Sequence, residues 1–159
     1  MRKFEKVSEE QFLKDLDTLN YSYYRDKVIL PKRGTSKSAG YDIYTPISFN
    51  LLQGEQILVP TGFKIAMEDD DVFLIFIRSS IGIKDKVTIS NGTGVIDADY
   101  YNNDGNEGHV WLALKNNSED IVPFSAGDRI AQGIFIKYNI VDNDEPIKET
   151  RNGGIGSTT

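Results

Sequence analysis

The sequence predicts an all-β protein, a β-sandwich or barrel with a short N-terminal helix. Three observations predict it. From residue 27 onward the apolar runs are short, rich in Val and Ile, and separated by turn residues such as Gln53-Gly54, Asn91-Gly92 and Ser125–Gly127. Helical periodicity is clear in one stretch alone. No internal repeat or long linker divides the 159 residues, a one-domain length that buries enough surface for a core without disulfide or metal staples.

Residues 8–19 are the predicted helix. Ser8 followed by Gln11 fits a capping box, and Phe12, Leu13, Leu16 and Leu19 recur at helical spacing behind a polar face of Glu9, Glu10, Lys14 and Asp17. Such a helix docks its apolar stripe on the body; a partner-binding helix is the alternative. Strands are predicted at 28–30, 56–60, 62–67, 72–78, 87–90, 94–96, 109–116 and 130–138, each an apolar run bounded by turn residues. Residues 151–159 hold Ile155 as their one apolar side chain among Gly, Ser and Thr. They cannot form a core element and are predicted to be a mobile tail.

Composition removes several classes of function. The 18 basic and 24 acidic residues leave a net charge of −6, which argues against binding duplex nucleic acid or a membrane surface. Without Cys there is no disulfide, thiolate zinc site or cysteine nucleophile. His109 is the sole His, so no imidazole zinc triad can form and Ser-His-Asp chemistry has little room. The N-terminus lacks an apolar signal core, and the longest apolar run, 72–77, is too short to span a bilayer. The expected address is the cytoplasm.

Several clusters could carry chemistry. Asp97 closes the apolar run Gly94-Val95-Ile96, where a carboxylate serves either as a general base or as a strand-ending turn residue. Arg78-Ser79-Ser80, followed by Ile81-Gly82, offers forked and hydroxyl donors to phosphate, or simply a polar turn. Gly127-Asp128-Arg129 reads as a type I turn with a local ion pair. In the tail, glycine amides with Arg151, Ser157 and Thr158 could wrap an anion, although no Walker A pattern is present. An EF-hand is excluded, because placing Gly105 at the sixth loop position puts Tyr100 and Trp111 where carboxylates are required.

The order of the clusters is the most specific signal. Ala39-Gly40-Tyr41-Asp42-Ile43, Arg78-Ser79-Ser80-Ile81-Gly82, the segment from Asn91 to Tyr100, Gly127-Asp128-Arg129-Ile130-Ala131-Gln132 and the Gly-rich tail resemble the five ordered motifs of the trimeric dUTPase family. The match runs from about residue 30 to 159. The resemblance implies a jelly-roll-like homotrimer with sites at subunit interfaces, which hydrolyses dUTP to dUMP and pyrophosphate with Mg²⁺. It also implies residue roles. Asp97 resembles the base that activates water for attack on the α-phosphorus, and Tyr100 the platform under the deoxyribose. Asn91, Gly94, Val95 and Ile96 resemble the hairpin that reads uracil. Asp42 resembles the carboxylate that holds Mg²⁺ through water. Ser79, Ser80, Gly82, Arg78 and Gln132 resemble the phosphate-side donors and their support, while Asp128 and Arg129 read as structural. Arg151, Ile155, Gly156, Ser157 and Thr158 resemble the lid that closes over the nucleotide. On this reading the chain is one domain, with an N-terminal extension at 1–26, a β core at 27–148 and a lid at 149–159.

The chain departs from the pattern in places. Ile155 stands where the family lid usually carries a Phe that stacks on uracil. Stacking on a base is worth roughly 1–3 kcal/mol, so closure is expected to be about 5- to 150-fold weaker, toward the low end because Ile still covers the base. The Arg151–Ile155 spacing is one residue shorter than in many members. Residues 101–108 are longer and richer in Asn and Asp than the usual turn, and the N-terminal helix is additional; both are candidate surfaces for a protein partner. A binding or regulatory role on the same scaffold is therefore an alternative. A dCTP deaminase, which needs a catalytic Glu, is disfavoured because no Glu lies in the five motifs and Glu107 falls in the extended loop.

Overall fold

The computed structural model describes residues 1–19, 21, 28–145, 147 and 151–155. In chain order the elements are β1 (Lys3–Lys6), α1 (Glu9–Thr18), β2 (Lys32–Arg33), β3 (Tyr41–Tyr44), β4 (Phe49–Leu51), β5 (Gln56–Pro60), β6 (Phe63–Ala66), β7 (Asp71–Ile77), α2 (Ser79–Lys84), β8 (Val87–Ile89), β9 (Gly94–Asp97), a 3-10 turn (Ala98–Tyr100), β10 (Trp111–Asn116), β11 (Val122–Phe124) and β12 (Arg129–Lys137). Every described ladder is antiparallel. The strands form a five-stranded sheet β2-β3-β12-β7-β9, a three-stranded sheet β5-β10-β8 and two ribbons, β1-β6 and β11-β4. This is a jelly-roll-like all-β architecture, and none of its described helices is long and apolar enough to cross a membrane.

Alternation builds the core. In β7, Asp71, Phe73 and Ile75 point inward while their neighbours are half-buried, as a period of two requires. Phe4 of β1 meets Tyr41, Phe63, Phe73 and Phe135 with ring centroids 5.1–5.8 Å apart, so five strands share one aromatic cluster. Gly133 of β12 is required by that packing, since a Cβ there would lie 2.2 Å from the Phe73 ring.

The N-terminal residues are part of this core. β1 pairs with β6, and Val7, Phe12 and Leu16 join the main buried cluster. Ahead of β1, Arg2 grips the buried Asp71 with Nε and Nη2 at 2.6 and 2.8 Å. Helix α1 begins at the predicted N-cap, with Ser8 Oγ accepting from Gln11 N at 3.1 Å. The return half of the capping box is replaced. Ser8 N–H donates to Glu107 Oε2 at 3.0 Å, and the Gln11 amide turns to Asp15 Oδ1 at 2.9 Å.

Several expectations change. Residues 28–30 form no strand; they are apolar because they pack, and Val28 presses on Gly62 so closely that a Cβ there would fall 2.5 Å away. Residues 79–84 are a second helix, too short to show a period. The predicted uracil hairpin is a crossover: β8 bonds β10 while β9 bonds β7, so the turn around Gly92 (φ 81) links two sheets. The tail residues 151–155, expected to be mobile, are seated against the body. Gly156, Ser157 and Thr158 lie outside the described residues.

Candidate functional site

A cavity of about 570 Å³ opens where β9, the 3-10 turn, residues 101–108, β10 and the tail meet. Asn91, Gly94, Val95, Ile96, Tyr100, Arg151 and Ile155, all singled out in the sequence, line it together. Local structure explains why they converge. Gly94 pairs with Ile75 across the ladder, and a Cβ at Gly94 would come within 3.1 Å of the Ile75 side chain, so the strand packs without an intervening side chain. The 3-10 turn after Asp97 then swings the Tyr100 ring into the wall, where it is buried. Tyr100 donates its phenolic proton to His109 O at 2.9 Å and accepts from Asn106 Nδ2 at 2.7 Å. Burial pushes its phenol above the ordinary value, opposed by the Asn106 hydrogen bond and the Arg151 charge.

Asp97 stands at the rim. Its Oδ2 accepts from Arg151 Nη2 at 2.6 Å, and Arg151 Nε lies 3.2 Å from Asp99 Oδ1 without forming an aligned hydrogen bond. The same guanidinium sits 5.8 Å from the Tyr100 ring centroid. Arg151 is thus held by Asp97 of its own chain, not by the phosphate-side cluster.

That second cluster lies at the other end of the five-stranded sheet. Asp42 of β3 faces Gln132 of β12 in register, and Gln132 faces Phe76 of β7. The Asp42 carboxylate is shared by Arg78 Nε at 3.2 Å and Arg129 Nη1 at 3.4 Å. Ser79 and Ser80 are exposed in the first turn of α2. Gly82 is a correction: its N–H donates to Arg78 O at 2.9 Å, so its amide is not offered to a phosphate, and it packs against Ile77. Asp97 pairs with Val72, whereas Ser79 lies seven residues further along the chain that contains β7. At about 3.3 Å per residue Asp97 and Ser79 stand about 20 Å apart within one chain.

The donor set bears on the metal expectation. No group of three or more His, Asp or Glu side chains that could hold an ion occurs among the described residues. Asp42, the residue that the resemblance implied for the metal, has one carboxylate oxygen facing Arg78 and the other facing Arg129, and each oxygen keeps a lone pair that could accept from the bound water of an ion.

Among the lining residues that the sequence did not mark as site candidates are three with polar side chains, Asp15 from α1, Asn106 from the long loop and Trp111 from β10. Asp15 is buried, with Oδ2 2.5 Å from His109 Nδ1, while Gly62 N–H donates to His109 Nε2 at 2.8 Å. The unusual length of 101–108 was the one signal pointing to Asn106; nothing local marks Asp15 or Trp111. Arg129, read as structural, also reaches Asp42.

The fold and pocket define a class: antiparallel jelly-roll-like proteins with a pocket beside a sheet-to-sheet turn and a separate Arg-Asp-Ser cluster. The sequence model of the dUTPase family matches residues 26–159. A deoxyuridine 5'-triphosphate nucleotidohydrolase of Lactococcus lactis subsp. lactis is 41% identical over 137 residues, covering 86% of this chain and 91% of that one. A dUTPase from Streptococcus mutans superposes with a TM-score of 0.74 at 36% identity, over 88% of this chain and 98% of its own. A mutant dUTPase from phage phi11 of S. aureus, described with a structural Mg(II) ion, shares the fold with a TM-score of 0.66 at 19% identity, over 94% of this chain and 97% of its own. The chain belongs to the dUTPase family.

Proposed function

We propose that this protein hydrolyses dUTP to dUMP and pyrophosphate as a homotrimer whose sites combine residues of different subunits. The observation that carries the reading is a cavity of about 570 Å³ with Asp97 at its rim, set about 20 Å from Ser79 of the phosphate-side cluster in the same chain. Neither half is a complete site, and a second copy can supply the missing half. The relatives named for this activity add support.

In the mechanism, the turn around Asn91 and Gly94 takes the uracil edge by backbone groups and leaves no space for a 5-methyl. Tyr100 lies under the deoxyribose and rejects a 2′-hydroxyl by contact. Asp97 accepts the proton of a water that attacks the α-phosphorus; the bond to the α,β-bridging oxygen breaks and pyrophosphate leaves with both electrons. Ser79, Ser80 and Gln132 of a neighbouring subunit donate to the phosphate oxygens, and Arg78 orients Asp42. Asp42 would hold Mg²⁺ through water, and the ion would supply neutralisation of phosphate charge when bound. Arg151 leaves Asp97 and, with Ile155, Gly156, Ser157 and Thr158, closes over the triphosphate to exclude water. Positioning and charge account for most of the acceleration.

A deaminase reading has no support in the pocket. Among the described residues no Glu lines it, and the Glu107 carboxylate is engaged by Ser8 and Lys64. The testing experiment is pyrophosphate release from dUTP, dCTP, dTTP and UTP with and without Mg²⁺. Turnover of dUTP far above that of the other three nucleotides, stimulated by Mg²⁺, is expected; absence of dUTP turnover by folded, trimeric protein overturns the reading.

A further inference from the structure

We infer that Asn106, in the loop that distinguishes this chain from its family pattern, is a positioning residue that locks the Tyr100 ring and thereby sets the discrimination between deoxyribo- and ribonucleotides. The inference rests on the dUTP reading of the pocket. Its physical basis is the bonding of the phenol. Asn106 Nδ2 donates to Tyr100 Oη at 2.7 Å, Oη donates to His109 O at 2.9 Å, and Asn106 Nδ2 also lies 3.4 Å from His109 O. The outer edge of the ring is therefore tied on both its donor and acceptor sides.

Asn106 is itself held firmly. Its Oδ1 accepts from Asn103 Nδ2 at 2.9 Å and from Gly108 N at 3.1 Å. The buried Asn103 in turn accepts from Gly105 N and Asn106 N at 3.0 and 3.1 Å and donates to Tyr100 O at 2.8 Å. The turn is drawn back on itself by left-handed backbone at Asn102, Glu107 and Gly108, with φ values of 55, 58 and 81. At Gly108 a Cβ would lie 2.5 Å from Tyr100 O, so the chain returns in direct contact with the residue it supports. Outside the loop, Glu107 is fastened to the N-cap of α1 through Ser8 and to Lys64 at 3.3 Å. The extra residues thus bring one amide against one phenol and anchor it to two other elements.

A platform excludes a 2′-hydroxyl only while it cannot tilt away. Removing the amide leaves Oη with one partner and frees the ring to yield. The lost hydrogen bond corresponds to a change of about 5- to 10-fold.

The experiment compares wild type, Asn106→Ala, Tyr100→Phe and the double variant, measuring kcat and KM for dUTP and UTP. Asn106→Ala should lower the dUTP/UTP ratio of kcat/KM about 5- to 10-fold, mostly through KM, because the reacting groups are untouched. In the Tyr100→Phe background the same substitution should change the ratio no further. An unchanged ratio in Asn106→Ala, or an equal loss in both backgrounds, overturns the inference in favour of a general loop role. If Asn106→Ala does not fold, Tyr100→Phe, which removes the Asn106 bond together with that to His109 O and leaves the loop sequence intact, must lower the ratio by itself; an unaltered ratio there also overturns it. A wild type that turns over no dUTP overturns the underlying reading and the inference together, a result distinct from selective turnover insensitive to Asn106.

Discussion

Asp97 carries the chemistry in the proposed mechanism, and its surroundings make the role testable. It sits at the end of β9 with its carboxylate half-exposed and bonded to Arg151 of the tail. Replacing it with Asn keeps the shape and the hydrogen-bonding capacity while removing the base. Asp97→Asn should bind dUMP about as tightly as wild type and lose turnover by several decades, as read by calorimetric titration beside pyrophosphate release. Near-normal turnover would assign the base elsewhere. The residues that matter beside Asp97 were unevenly visible. Asp97 and Tyr100 announce themselves by standing in an ordered motif, whereas Asp15 and Trp111 enter the cavity through packing of α1 and β10, which no local pattern records.

At the scale of elements, β12 is the central tie, bonded to β3 on one side and β7 on the other. Its Gly133 faces the buried Phe73, and an added methyl would overlap the ring. Gly133→Ala should destabilise the protein by about 1–3 kcal/mol through overpacking, measured by urea denaturation; an unchanged midpoint would show that the aromatic cluster can shift without strain. The N-terminal strap gives a second test. The Arg2 hydrogen bonds hold the Asp71 carboxyl well below the usual carboxylate range, against the opposing effect of burial, with help from Glu68 N–H and Lys137. The folded value is depressed, so this stabilisation is fully present above the unfolded value near ~4 and is lost as pH falls toward the folded one. The thermal midpoint should therefore be level near neutrality and fall in acid, and Arg2→Ala should lower it at pH 7 and reduce the acid slope. A midpoint at pH 7 insensitive to Arg2→Ala would mean that Lys137 alone suffices.

For the whole molecule, the five-stranded sheet is both scaffold and separator. β7 carries the phosphate-side cluster beyond its C-terminal end and pairs near its start with Asp97. If active sites are shared between copies, two inactive chains should rescue each other. Asp97→Asn and Ser79→Ala proteins, unfolded together and refolded as a mixture, should regain dUTP turnover that neither shows alone, since some mixed trimers unite an intact Asp97 with an intact Ser79. A mixture as inactive as its parts would place the site within a single chain.

Read alone, the chain specified its class and most of its strands. Alternating apolar residues, Gly-containing turns and the Ser8 cap act over a few residues, and short-range signals survive in any sequence. Family membership was legible for the same reason, because ordered motifs are written along the chain. Other features depended on the folded state. β1 is the polar string Lys3–Lys6, which becomes a strand because β6 offers its edge and the aromatic cluster accepts Phe4. Residues 28–30 have a strand's composition but find no ladder, and the turn at Gly92 joins two sheets where the sequence suggested a hairpin. The meeting of Asn106 with Tyr100, the seating of Arg151 on Asp97 and the distance between the two halves of the site all depend on contacts between residues far apart along the chain or on a loop's particular path. Those contacts are set by packing and hydrogen-bond satisfaction across the whole core, so the tertiary structure alone decided them.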